Sequence, residues 1–246
     1  MNNKNLLYGT IIFVSLIFLA SVAFLVSGLK GFRSQTKKNV SVTGMAERNF
    51  ESDLMVWSAS LSVRAYNLSD AYSELSKQRE AVSAFLKRKN VPADAISYSS
   101  VSISREEERV EDDRHVYYRF NGYLLTQTVT ITSKDVNATE AVSRQISELI
   151  TQGIEIRSED PRYYYTKLND LKIQMLKDAS EDARNRAKVI AEGGASSLGK
   201  LQHSSMGVFQ IVGQNSDEDY SWGGSFNTTS KLKTATITVT STFSLD

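Results

Sequence analysis

The chain has 246 residues, with 29 Lys or Arg against 28 Asp or Glu, two histidines and no cysteine. The missing cysteine excludes disulfides, thiolate nucleophiles, iron–sulfur clusters, thiolate zinc sites and a lipidated N-terminal Cys, and His115 and His203 alone are too few for a multi-histidine metal site within one chain. Charge is uneven: residues 1–38 hold Lys4, Lys30, Arg33, Lys37 and Lys38 and no acid, which leaves the remaining residues mildly acidic and argues against a nucleic-acid-binding body.

The first element is an uncharged run of 25 residues between Lys4 and Lys30, dominated by Leu, Ile, Val, Phe and Ala. As a helix it would span roughly 37 Å at ~1.5 Å per residue, enough for a hydrocarbon core of about 30 Å. Residues 6–29 therefore read as an uncleaved membrane anchor, with 1–38 as anchor plus basic linker. A cleaved signal peptide, with Val26-Ser27-Gly28 as a weak site, and a buried core helix are the alternatives. Four basic residues follow the span and one precedes it, so the local charge count places the following domain in the cytoplasm. That rule weakens when a long domain follows.

From Asn39 onward, period-two and period-3.6 patterns take turns. Residues 39–48 and 53–65 read as two strands joined by a hairpin, the second with Met55, Trp57, Ala59, Leu61 and Val63 on one face. Leu68, Leu75, Val82 and Phe85 recur at helical spacing, with Pro92 beyond the end. Strands follow at about 96–105 and 116–132, separated by the charged stretch 105–115, which reads as an exposed loop. A helix over 135–152 stops at Gly153, a short strand takes Ile154 to Ile156, and the longest helix runs over 164–192 to Gly193-Gly194. Strands at 200–213 and 231–245 complete the chain around the loop 214–230, the last with Ala235, Ile237, Val239, Ser241, Phe243 and Leu245 inward and Thr234, Thr236, Thr238, Thr240 and Thr242 outward. The expected fold class is α+β: a largely antiparallel sheet with three main helices, ββαββ followed by α-β-α-β-β, over residues 39–246.

Motifs for chemistry are weak. Gly194 to Lys200 matches G-x-x-x-x-G-K, but Leu201 stands where a magnesium-binding Ser or Thr is needed, and the stretch closes a helix instead of opening one. The acids Glu106, Glu107, Glu108, Glu111, Asp112 and Asp113 are interleaved with arginines and lack the spacing of a calcium loop. No G-x-S-x-G elbow accompanies either histidine. No catalytic, metal or cofactor residue is expected. Tyr163-Tyr164-Tyr165 and Trp222 are the aromatic features that periodicity explains least; partial core packing is the favoured reading, and a candidate partner surface is the functional one.

Val40-Ser41-Val42-Thr43-Gly44-Met45-Ala46-Glu47, the helix segment Ala179 to Ala191 with Leu198-Gly199-Lys200-Leu201 after it, and the ending Thr238 to Leu245 together resemble the SIMPL-domain family. Its bacterial members include periplasmic immunogenic proteins and YggE-type proteins labelled as oxidative-stress defence. The resemblance implies an extracytoplasmic domain, against the charge count, ring-like homo-oligomers in some members, and no enzymatic residues to carry over. The resulting expectation is a non-enzymatic, membrane-anchored envelope protein on the periplasmic side. Its domain is expected to self-assemble as a homo-oligomer or to scaffold an envelope protein partner, in stress defence, with no nucleic acid bound. A binding domain for a small envelope ligand is the alternative, and a hydrolase the third reading.

Overall fold

The computed structural model describes residues 14–15, 17–24, 38–111, 115–219 and 221–246. Of the expected anchor 6–29, residues 14–15 and 17–24 are helical and exposed, and the rest lies outside the described residues. Among the described residues no helix is long and apolar enough to cross a membrane. The fold is α+β with two mostly antiparallel sheets, where the sequence suggests one. The chain divides into two compact units, one of residues 45–182 and 206–239, the other of 1–44, 183–205 and 240–246.

In the larger unit, β2 (Leu54–Ala65) and β5 (Val116–Ser133) pair antiparallel from Met55 opposite Ser133 to Ala65 opposite Tyr123. Alternation along β2 sends Met55, Trp57, Ala59, Leu61 and Val63 to one side, where all are buried with Leu125, Val129 and Ile131 of β5. Helix α1 (Leu68–Arg88) covers this face with Ala71, Leu75, Val82, Phe85 and Leu86, a stripe spaced by three and four residues. Helix α2 (Val136–Gln145) adds Val142. Its expected continuation to 152 tightens instead into a 3-10 segment, Ile146–Gln152, which ends at Gly153 with φ 80°. Asp135 caps α2 by accepting from the Ala138 N–H at 3.0 Å.

Short strands complete the sheet. β3 (Ile96–Tyr98) and β4 (Ser102–Glu111) lie along β5, so the expected strand 96–105 is two. β6 (Ile156–Ser158) and β7 (Arg162–Tyr164) lie along β2, the first shifted two residues beyond the expected Ile154 start. Residues 105–111 are strand, not loop, with β4 and β5 paired out to Glu111 opposite Val116, and 112–114 lie outside the described residues. Charged residues on both faces of β4 mimic a loop because neither face of that strand shows an apolar period.

The second sheet holds β1 (Asn39–Glu51), β8 (Leu198–Met206), β9 (Gln210–Gly213), β10 (Ser225–Phe226) and β11 (Leu232–Leu245). The expected strand 200–213 is interrupted at Gly207, whose N–H bonds to Thr238 O at 2.9 Å, and the loop 214–230 contributes β10, which runs parallel to β9. Within the larger unit, Ile211, Ala235, Ile237 and Val239 pack with Leu171, Met175 and Ala179 of helix α3 (Leu168–Gly193). Within the smaller unit, Val40, Val42 and Phe243 pack with Ala183 and Ala187 of the same helix. The expected start of α3 at 164 is taken by β7, and the residue in the left-handed conformation after it is Ala195 (φ 54°), not a glycine. Gly194 to Lys200 leaves this helix and enters β8, the inverse of a phosphate-binding turn.

Ala179, Ala183, Ala187 and Ala191 are all buried, so their four-residue row faces protein along its length. Ala183→Leu is expected to cost about 1–3 kcal/mol by overpacking, read as a lower melting temperature by calorimetry; an unchanged melting temperature would contradict the closeness of this contact.

Candidate functional site

The four aromatic residues singled out by sequence do not form one surface. Tyr163 is buried in the main core, and its hydroxyl donates to Glu140 Oε1 at 2.7 Å. Burial and this carboxylate push its pKa up to about 12. Tyr165 packs against Phe50, ring centroids 4.9 Å apart, and Tyr164 lines a cavity of about 520 Å³ with Glu159, Arg162 and Thr229. Strand β7 explains the split: alternation turns Tyr163 inward and Tyr164 away from it. Trp222 stands alone and is fully exposed.

Trp222 borders a cavity of about 600 Å³ lined by Met45, Val208, Gln210, Ser221, Thr236 and Ile237, with Gly207 and Thr238 at its wall. This is a ligand-sized space within the usual range of about 300–1,000 Å³. Its walls are mostly apolar. The Thr236 hydroxyl, expected to face outward, is buried and has no hydrogen-bond partner among the described residues. No lining residue titrates near neutral pH, so the cavity offers shape, apolar area and an indole, but no general acid or base.

The loop carrying Trp222 is fastened at two points. Gln210 holds Ser221 by donating from Nε2 to its carbonyl at 2.7 Å and accepting its N–H at 3.2 Å. Gly224 has φ 92°, and a Cβ there would stand 2.8 Å from Val208 Cγ1 and 2.9 Å from Phe209 O, so only glycine lets the loop turn this close to the strand.

The second fastening is polar and centres on a buried lysine. Lys233 shares the inward parity of Ala235 and Ile237 and is 1% exposed. Its Nζ donates to Asn227 O at 2.7 Å and to Asn227 Oδ1 at 3.3 Å. Asn227 Nδ2 donates to Glu218 Oε1, the other Glu218 oxygen accepts the Gly213 N–H at 3.2 Å, and Asn227 Oδ1 also accepts the Ser230 N–H at 2.8 Å. Burial pushes the Lys233 ammonium down to about pKa 8, against the pull of Glu218 upward. Residues 214–230, expected to be an exposed loop, are thus anchored from within. The parity of β11 carries the signal for Lys233, while Asn227 and Glu218 lie outside any periodic pattern.

Histidines and acids give no competing centre. His203 is an exposed residue of β8, and among the described residues no three His, Asp or Glu side chains gather in a metal-holding group. Strand alternation sends Glu106 and Glu108 to one face of the β4 ribbon and Glu107 and Glu111 to the other.

No curated protein matches the chain. A family model described as SIMPL, protein of unknown function (DUF541), matches residues 40–245, from the first valine of β1 to the last leucine of β11, and the chain belongs to the SIMPL family.

Proposed function

We propose that this is a non-enzymatic, membrane-anchored envelope protein whose SIMPL domain self-assembles and scaffolds a partner on the extracytoplasmic side, in the service of stress defence. The observation that carries the scaffolding role is Trp222, a fully exposed indole on a fastened loop beside an apolar cavity with no titratable wall. Exposed tryptophan is costly to leave in water and is enriched among residues that dominate binding energy. The uncharged run between Lys4 and Lys30 supports the anchor.

A second reading, capture of a small apolar envelope ligand, is favoured by the unpartnered Thr236 hydroxyl in the cavity wall. A ligand with one polar atom would satisfy it.

One experiment addresses both location and partner. A membrane-impermeant lysine crosslinker added to intact spheroplasts, followed by mass spectrometry, is expected to join residues 39–246 to an envelope protein. Trp222→Ala should reduce that product at least tenfold, as expected for a residue worth about 2 kcal/mol or more. Labelling seen only after lysis would refute the extracytoplasmic placement, and an undiminished product in Trp222→Ala would refute the role of the cavity.

A further inference from the structure

The β4–β5 ribbon has no core to stand on at its far end. No described residue of 102–111 or 116–121 is buried, and Val116, Tyr117 and Tyr118 are about half exposed or more, at 49%, 47% and 66%. A two-stranded ribbon in water is marginally stable without further strands or a covering face. Among the described residues, β4 pairs with β5 alone, so its other edge presents unpaired main-chain groups.

That edge carries an ordered pattern of charge. Strand alternation places Arg105, Glu107, Arg109 and Glu111 on one face of β4, where Arg105 stacks over Phe120, 4.9 Å from the ring centre, and the register shift beside them leaves Asn121 of β5 unpaired. The neighbouring positions of β5 on this face are Tyr123, Phe120, Tyr118 and Val116, which offer no opposite charge across the ribbon. The four charges instead pair along their own strand, Arg105 with Glu107 at 3.7 Å and Arg109 with Glu111 at 3.0 Å. Alternating signs along an antiparallel edge are complementary to themselves.

We propose that β4 pairs antiparallel with β4 of a second copy of this chain, about a twofold axis at Glu108, turning two ribbons into one four-stranded sheet. In that register Arg105 faces the second copy's Glu111 and Glu107 faces its Arg109, and symmetry repeats both pairs. A slip of two residues sets Arg105 against Arg109 and Glu107 against itself, so like charges reject the nearest alternatives. Edge charges often serve to block pairing. A run of one sign would do that; this alternation cancels in register. Glu108 meets its own twin on the axis, and each is already neutralised by Arg119 of its own ribbon at 2.7 Å. The inference rests on the self-assembly part of the proposed function and names the contact that makes it.

Because the chain has no cysteine, a single introduced thiol reports the axis directly. In full-length protein in detergent, Glu108→Cys is expected to give a disulfide-linked dimer under mild oxidation, since residues facing each other across antiparallel strands have Cα atoms about 4.5–5.5 Å apart. Glu106→Cys, whose twin would lie roughly 14 Å away at ~3.4 Å per residue, should not. Arg109→Glu should weaken assembly at least tenfold by light scattering, and the exchange Glu107→Arg with Arg109→Glu should restore it. If the wild type assembles, but Glu108→Cys links no better than Glu106→Cys and Arg109→Glu has no effect, this interface is wrong and self-assembly stands. If the wild type holds one chain per micelle, both fall.

Discussion

Asn227→Leu is expected to destabilise the protein by about 3 kcal/mol or more, although the two side chains are similar in size. The substitution strips a partly buried network of its central member. Glu218 loses the Nδ2 donor, the Ser230 N–H loses its acceptor, and the Lys233 ammonium keeps only the main-chain oxygen of residue 227. The exposed Glu218 carboxylate can turn to water, but Lys233 is buried and charged, and a buried polar group left short of partners costs about 1–3 kcal/mol, more when it is charged. At roughly 2–4 °C per kcal/mol for a chain of this size, thermal unfolding should shift down by about 6 °C or more. A shift below 2 °C would mean that water replaces the amide without penalty and that the knot does not fasten the loop.

Stability should also depend on alkali through Lys233, and the sign follows from its lowered pKa. The folded chain holds this proton with a pKa of about 8, against 10.5 for an ordinary lysine. Between those values the unfolded chain binds more protons, so stability rises with pH across the window; the penalty for burying the charge is fully present below pH 8. Other groups titrate in the same range, and Lys233→Met separates them. Melting temperatures of the wild type and Lys233→Met, measured from pH 7.5 to 10.5, should differ by an amount that moves steadily in favour of the wild type as pH rises. Parallel curves would show that the ammonium is as well solvated folded as unfolded.

Where burial imposes a period, the sequence is readable. Strand β2 alternates over its whole length because one face meets α1, and the alanine row of α3 repeats every four residues because its backbone lies close to the sheet in each unit. The outward threonines of β11 misled at Thr236, since a strand beside a cavity is covered on both faces and parity no longer separates inside from outside. Strand β7 is three residues long, too short to display a period, so the sequence leaves core packing and a partner surface both open for Tyr163, and the structure puts it in the core. The knot of Lys233, Asn227 and Glu218 joins residues whose polar chemistry belongs to loops in any local reading. Only tertiary contact shows that Asn227 and Lys233 are buried in it.

The two tryptophans of the chain sit at opposite extremes, Trp57 at 1% exposure and Trp222 at 101%. Intrinsic emission therefore divides into two independent signals without any label. Trp57, buried at 1% exposure with its Nε1–H donating to Ser158 Oγ at 3.0 Å, emits toward the blue and changes when the core opens. Trp222 emits toward the red, is within reach of iodide, and becomes shielded whenever something settles over the cavity. Quenching by iodide thus counts occupancy while the unquenched fraction counts folding, and both can be followed in one cuvette as a partner or an assembling copy is added.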